Sequence, residues 1–255
     1  MSSGDTWKLS PLEFYVAWEA MGRDRMPFPL IFRTEVETQM EFDRERSGAA
    51  QSVVDKVGGD DGLYWALHAL AQPQVRVEML GYRRDGRERM VRVSAGIGDD
   101  RGVVAAQKPG PEAESGGDIV LFPHASSAVV KRITTILPDT ALGSVTGIDF
   151  HRADLEPDER AWTASRGRTP QAEVTRFFER PYDTYVEIRV DAGPALDGWK
   201  EGGHTLRVID FVDDGRYLIH TSERLVAIPV TRQGLVDSIQ RYVDRAMPEA
   251  DEEFW

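Results

Sequence analysis

Two stretches of this chain run through the same order of elements, and that repetition is what most limits the folds open to it. In the first stretch a short apolar helix ends before Pro73, and Val75, Val77 and Met79 then alternate with polar residues as a half-buried strand does. Val91-Arg92-Val93 forms a return strand, Asp99-Asp100-Arg101-Gly102 a turn, Val120 to Pro123 a later strand, and a helix closes the unit. The second stretch repeats this with Pro181, Tyr185-Val186-Glu187-Ile188, Leu206-Arg207-Val208, Asp213-Asp214-Gly215-Arg216 and Val226 to Pro229. The closing helices match best. Val129, Val130, Ile133, Ile136 and Leu137 have the same spacing as Leu235, Val236, Ile239, Tyr242 and Val243, and each set makes one apolar stripe. The offsets are 108 residues at Pro73 and Pro181, 115 at Val91 and Leu206, and 106 at Pro123 and Pro229, with the differences falling in Gly/Pro-rich loops. The pattern predicts an α+β fold of two pseudo-symmetric subdomains. Each is a largely antiparallel sheet of about four strands with flanking helices, and the two sheets are able to join. Residues 1–145 form the first unit, with an added N-terminal helix and strand, 146–247 the second, and 248–255 an acidic tail.

Local signals fill in the first unit. Ser10, Pro11 and Glu13 make a capping box with proline in the first helical turn, and Gly22 ends the aromatic helix that follows. Pro27 to Phe32 reads as a brief strand, 35–46 as a surface helix, and the Ser/Gly/Ala run 47–50 as a linker. Asp61-Gly62 opens an apolar helix over Leu63 to Ala71. Arg83 to Arg87 carries an Asp-Gly hairpin signal. Ile119 to Phe122 reads as a strand closed by Pro123, and the helix after it runs about 11 residues to Leu137-Pro138.

A search for chemistry narrows the function classes. With 31 Lys and Arg against 43 Asp and Glu, the net charge of −12 argues against binding nucleic acid or an anionic lipid surface. The chain has no Cys, which removes thiol catalysis, zinc-thiolate and iron–sulfur sites. The polar first ten residues carry no signal-peptide pattern, and no apolar run of membrane-spanning length occurs, so a cytoplasmic location is expected. The five histidines show no zinc spacing, and His68 reads as a packed core residue. Gly96-Ile97-Gly98 begins like a dinucleotide fingerprint, but Arg101 stands where its third Gly belongs, and the run lies between two strands. Asp99-Asp100 and Asp213-Asp214 read as turn residues rather than as a metal site. No catalytic residue, metal or cofactor is assigned. The local exception to the acidic charge is the hairpin from Arg83 to Arg89, which reads either as a solvated turn or as a recognition loop.

The layout as a whole resembles the EspG family of ESX (type VII) secretion-associated proteins of actinobacteria. The features that carry this are the aromatic helix Leu12 to Met21, Phe28-Pro29-Leu30-Ile31, Val75-Arg76-Val77-Glu78, Arg180-Pro181-Tyr182, Arg216-Tyr217-Leu218-Ile219 and the helix Leu235 to Arg245. The resemblance implies a cytoplasmic, non-enzymatic chaperone that binds helical PE/PPE-like secretion substrates and keeps them soluble. It further implies contact through the early hairpin, parts of the central sheet and the C-terminal helix. Carried onto this sequence, these positions are Arg83, Arg84, Asp85, Arg87 and Arg89 of the hairpin and Ile239, Tyr242 and Val243 of the helix. A monomer or weak homodimer is expected, with exposed apolar residues around the hairpin and the last helix. The alternative is a small-molecule binder or enzyme with a cleft between the repeats, which would gather His220, Asp149 and Asp214.

Overall fold

A computed structural model describes residues 6–34, 36–58, 61–84, 89–112, 115–155, 169–195 and 203–248. The chain begins with β1 (Trp7–Leu9), α1 (Pro11–Ala20), α2 (Gln39–Val57) and α3 (Asp61–Ala71). A four-strand meander follows: β2 (Val75–Arg83), β3 (Arg89–Ile97), β4 (Arg101–Pro109) and β5 (Gly116–Ala125). It is closed by α4 (Ser126–Thr134). After a connector come β6 (Ile148–His151), a short 3-10 turn and α5 (Pro170–Phe178). The second meander is β7 (Tyr182–Ala192), β8 (His204–Phe211), β9 (Arg216–Thr221) and β10 (Arg224–Pro229), closed by α6 (Arg232–Ala246).

The meanders join into one antiparallel sheet of order β1-β5-β4-β3-β2-β7-β8-β9-β10-β6. The seam is the long β2–β7 ladder, which runs from Val75 opposite Ala192 to Arg83 opposite Thr184. At its centre Met79 faces Ile188. Each half also gains a short outer strand that the sequence did not announce, β1 on β5 and β6 on β10.

One face of the sheet is covered by α4 and α6. Their two stripes converge there, burying Val129, Val130, Ile133 and Leu137 beside Leu235, Ile239 and Val243 over Val77, Met79, Val186 and Ile188. The opposite face has two separate cores. Phe14 and Trp18 of α1 and Leu63, Leu67 and Leu70 of α3 pack on Val103, Ala105, Ile119 and Leu121. Phe177 of α5 packs on Ile209, Phe211, Tyr217 and Ile219. Gly96 makes the approach of α3 possible, since a Cβ there would stand 2.2 Å from the Ala69 carbonyl oxygen.

Several local expectations change. The capping box forms as predicted, with the Ser10 side chain accepting from Glu13 N and the Glu13 carboxylate accepting from Ser10 N. Pro27 to Phe32 is not a strand. Instead of a β-ladder, the Gln107 side-chain amide pairs with Ile31, accepting from its N–H at 2.9 Å and donating to its carbonyl at 2.7 Å. The run 47–50 is no linker but the middle of the 19-residue α2, because alanine is a strong helix former and the helix is anchored on both sides of it. Thr38 caps its start, and its later residues Ser52 and Lys56 both donate to Glu13. Pro123 lies inside β5, beyond the stretch paired with β1, an edge position where proline is tolerated. The helix after it has nine residues.

Candidate functional site

Between the two cores of the second face, the central strands carry polar side chains, and the β2–β7 register sorts them into complementary pairs. Arg76 stands opposite Asp191, Glu78 opposite Arg189, Leu80 opposite Glu187 and Tyr82 opposite Tyr185. Opposite charges across a ladder are mutually stabilising. Arg76 forms an ion pair with Asp191 at 2.8 Å and donates to Glu78 at 3.2 Å, and Arg189 forms a second ion pair with Asp191 at 2.6 Å. Burial pushes the Glu78 carboxyl above its ordinary value, with Asp191 adding to the effect and Arg76 and Arg189 opposing it. A cavity of about 600 Å³ opens over this end, walled by Trp18, Met26, Phe28 and Leu70 and floored by Arg76, Glu78 and Ser94.

The other end of the same face is aromatic. Tyr82, Tyr182 and Tyr185 form a mutual cluster with ring centroids 5.9 to 6.2 Å apart, and the Arg84 guanidinium lies 5.1 Å from the Tyr82 centroid. All three rings are half-buried, as is Leu80 beside them. Tyrosines in this state combine apolar area with a hydroxyl that still reaches water or a partner, the chemistry favoured at protein interfaces. The chain brings them together only because β2 and β7 meet in this register.

The hairpin residues fall at this aromatic end. Arg83 faces Arg89 across the β2–β3 ladder, and Arg83 donates to the Ile136 carbonyl just past α4. The Arg84 backbone N–H donates to the Asp183 carbonyl at 2.7 Å, which ties the hairpin to β7. Asp85 and Arg87 lie outside the described residues.

The α6 positions are placed elsewhere. Ile239 and Val243 are 0% and 2% exposed, within the core, so their side chains hold the helix on the sheet and offer no surface. Tyr242 is half-buried, its ring tilted against His204 with centroids 4.5 Å apart and its hydroxyl bonded to His220 Nδ1 at 3.3 Å. His204 pairs with Val190, which pairs with Val77, so Tyr242 lies toward the strand ends far from the hairpin. Six residues separate Val77 from Arg83, roughly 20 Å of strand. The structure therefore does not bring the two predicted groups into one patch.

The expected exposed apolar surface is displaced as well. Large apolar side chains left exposed include Tyr64 and Trp65 on α3, Met40 and Val54 on α2, and Leu142 and Val145 in the connector. His68 is only half-buried, beside Tyr64 and Trp65, rather than packed in the core.

The residues that would define a cleft site are also kept apart. Asp149 pairs with Arg224 at the sheet edge. Asp214 accepts from Tyr217, Arg180 and both the N–H and hydroxyl of Ser144. His220 instead meets Tyr242 of α6, on the opposite face from Tyr217. Burial opposes ionisation of Asp214, but its four donors outweigh that and hold the carboxyl well below the usual carboxylate range. Among the described residues no group of three or more His, Asp or Glu has a metal-holding arrangement, and no helix is long and apolar enough to cross a membrane.

One anchor was invisible in the sequence. Arg216, fully buried, donates Nε and Nη2 to Asp210 at 2.7 and 2.8 Å and Nη2 to the Pro138 carbonyl at 2.9 Å. It fixes the connector between the two meanders.

Comparison with known proteins adds to this geometry. A model described as the EspG family matches residues 10–241. No curated protein matches at a significant level. Among solved structures, a chain from the structure of the Mycobacterium tuberculosis type VII secretion system chaperone EspG5 in complex with a PE25–PPE41 dimer superposes with a TM-score of 0.60. Identity is 13%, and the match covers 97% of this chain and 98% of that one. That likeness extends to the fold.

Proposed function

The chain belongs to the EspG family, and from that premise we propose that it is a non-enzymatic cytoplasmic chaperone that binds PE/PPE-like helical substrates and keeps them soluble for type VII (ESX) secretion. The observation that carries the reading to a place on the molecule is the half-buried tyrosine cluster flanked by the basic hairpin. A client's apolar helical tip needs a preformed surface with an apolar centre and a polar rim. Tyr82, Tyr182, Tyr185 and Leu80 supply the centre, and Arg84 supplies part of the rim. The whole-length match to a chaperone seen with a PE–PPE dimer supports the same reading.

In this account the contact is made at the hairpin end of the sheet, with Arg83, Ile239 and Val243 holding the scaffold and Tyr242 outside the patch. Residues 1–145 and 146–247 are the two units, with 248–255 a tail, and the protein acts as a monomer or weak homodimer without nucleic acid. Co-expression with PE–PPE pairs from the genome that encodes this chain tests it. Size-exclusion chromatography is expected to give a soluble complex containing all three chains, and elution of the chain without any pair overturns the reading.

A further inference from the structure

The hairpin base holds two arginines in an arrangement that the fold alone does not explain. Arg83 and Arg89 are directly opposite in the β2–β3 ladder, where like charges repel. Arg83 is compensated by the Ile136 carbonyl at the end of the α4 segment. Arg89 is not. Its Nε is buried, and it has no hydrogen-bond partner among the described residues. A buried guanidinium nitrogen without an acceptor is costly, because desolvation is not repaid by a hydrogen bond.

The surroundings show where a partner would sit. The β3–β4 register begins at Arg92 opposite Gln107, so Arg89, Met90 and Val91 have no β4 partner. A cleft of about 130 Å³ opens at that point, lined by Arg83, Arg89 and Arg92 together with Val91, Pro109 and Ile136. Its volume equals roughly four waters' share of liquid, enough for one side-chain carboxylate and too small for a nucleotide or a lipid headgroup. Guanidinium groups recognise carboxylates through paired, charge-assisted hydrogen bonds, and an apolar wall strengthens them by excluding water. On a chain of net charge −12, this basic cleft is a local inversion of sign.

We propose that the cleft beneath the β2–β3 hairpin is a carboxylate-binding site centred on Arg89, and that it takes an acidic side chain of the secreted client. Only the source of the carboxylate rests on the chaperone reading. The site itself rests on the unpaired Nε, the opposed arginines and the gap in the ladder.

Two arms test it on the full chain. In the first, sodium acetate is titrated at constant ionic strength while the arginine Nε–Hε resonances are followed by NMR. The Arg89 signal is expected to shift saturably, and a shift that is absent or matches a chloride control overturns the site. In the second, capture of a co-expressed PE–PPE pair is compared for wild type, Arg89→Glu and Arg44→Glu, the last a distant charge reversal on α2. Arg89→Glu is expected to weaken capture at least about tenfold, the scale of a lost desolvated charge pair, while Arg44→Glu leaves it unchanged.

Saturable acetate binding with undiminished capture by Arg89→Glu overturns the client as the source. If wild type captures no pair, the chaperone reading falls and the client assignment with it, while the acetate arm still decides the site. Arg89→Gln separates binding from folding. Relief of the like-charge opposition is expected to leave its melting temperature equal to or above that of wild type, and a lower one shows Arg89 to be a structural residue instead.

Discussion

Replacing Asp210 by Asn isolates the buried ion pair that holds the connector between the meanders. Arg216 is 0% exposed and Asp210 3% exposed, and the carboxylate accepts from both Nε and Nη2 of the arginine. An amide of the same shape keeps one acceptor but removes the counter-charge, leaving a guanidinium that has no route to water. Breaking a buried pair from one side costs about 3–5 kcal/mol, a large fraction of the roughly 5–15 kcal/mol that holds a domain together. For a chain of this size that is a fall in melting temperature of about 6–20 °C. Removing both charges as Asp210→Leu/Arg216→Met strands the Thr140 hydroxyl, which donates to Asp210 at 3.1 Å and accepts from Arg216 at 3.4 Å, while the Pro138 carbonyl keeps its bond from Arg232 at 3.2 Å. That leaves a penalty of about 1–3 kcal/mol, so the double variant is expected to be more stable than the single one. Urea unfolding followed by tryptophan fluorescence measures both, with unchanged slope as the check that only stability moved. An Asp210→Asn cost below about 1 kcal/mol, or a double variant weaker than the single, refutes the account of Arg216 as a charge held by its buried partner.

The remaining predictions concern other parts of the molecule. Gly96→Val drives a side chain into the Ala69 carbonyl and is expected to cost about 1–3 kcal/mol or more as α3 is pushed off the sheet, read as a lower urea midpoint; an unchanged midpoint shows that the helix–sheet approach is looser than described. Burial, and then the neighbouring Arg241, holds His220 below its ordinary value, so the unfolded chain takes up that proton more readily. Its contribution to stability is whole above about pH 6.5 and is lost as pH falls through the folded-state value. The urea midpoint of wild type should therefore drop more between pH 7 and 5.5 than that of His220→Gln, and parallel profiles count against it. Tyr82→Ala with Tyr185→Ala is expected to reduce capture of a PE–PPE pair at least about tenfold, on the scale of lost aromatic hot spots, with circular dichroism confirming that the sheet persists. Equal capture moves the contact away from the hairpin end.

The legible parts of this protein are those set by neighbours in the chain. The capping box at Ser10, the strand alternation at Val75 to Met79 and the two stripes of α4 and α6 depend on side-chain types at fixed short spacings, and each appears where expected. The same local logic misreads Pro27 to Phe32 and residues 47–50. An apolar run finds its hydrogen bonds in a distant glutamine, and small residues extend a helix already anchored at both sides. The candidate site was half legible. The basic hairpin stands out by composition, but which α6 residues face solvent depends on what covers the stripe, and that is the sheet.

The sequence alone showed one order of α and β elements running twice along the chain, because periodicity survives without knowledge of partners. It also excluded thiol chemistry, since the chain has no Cys. Tertiary structure decided that the copies share one ten-stranded sheet, through a β2–β7 register that no local signal encodes. That register gathers Tyr82 with Tyr182 and Tyr185 and sets Arg76 against Asp191. It also separates Tyr242 from the hairpin by roughly 20 Å of strand. The physical reason is that side chains alternate with a period of two along each strand. A shift of one residue between strands far apart in sequence would turn the tyrosines to the other face and dissolve the site.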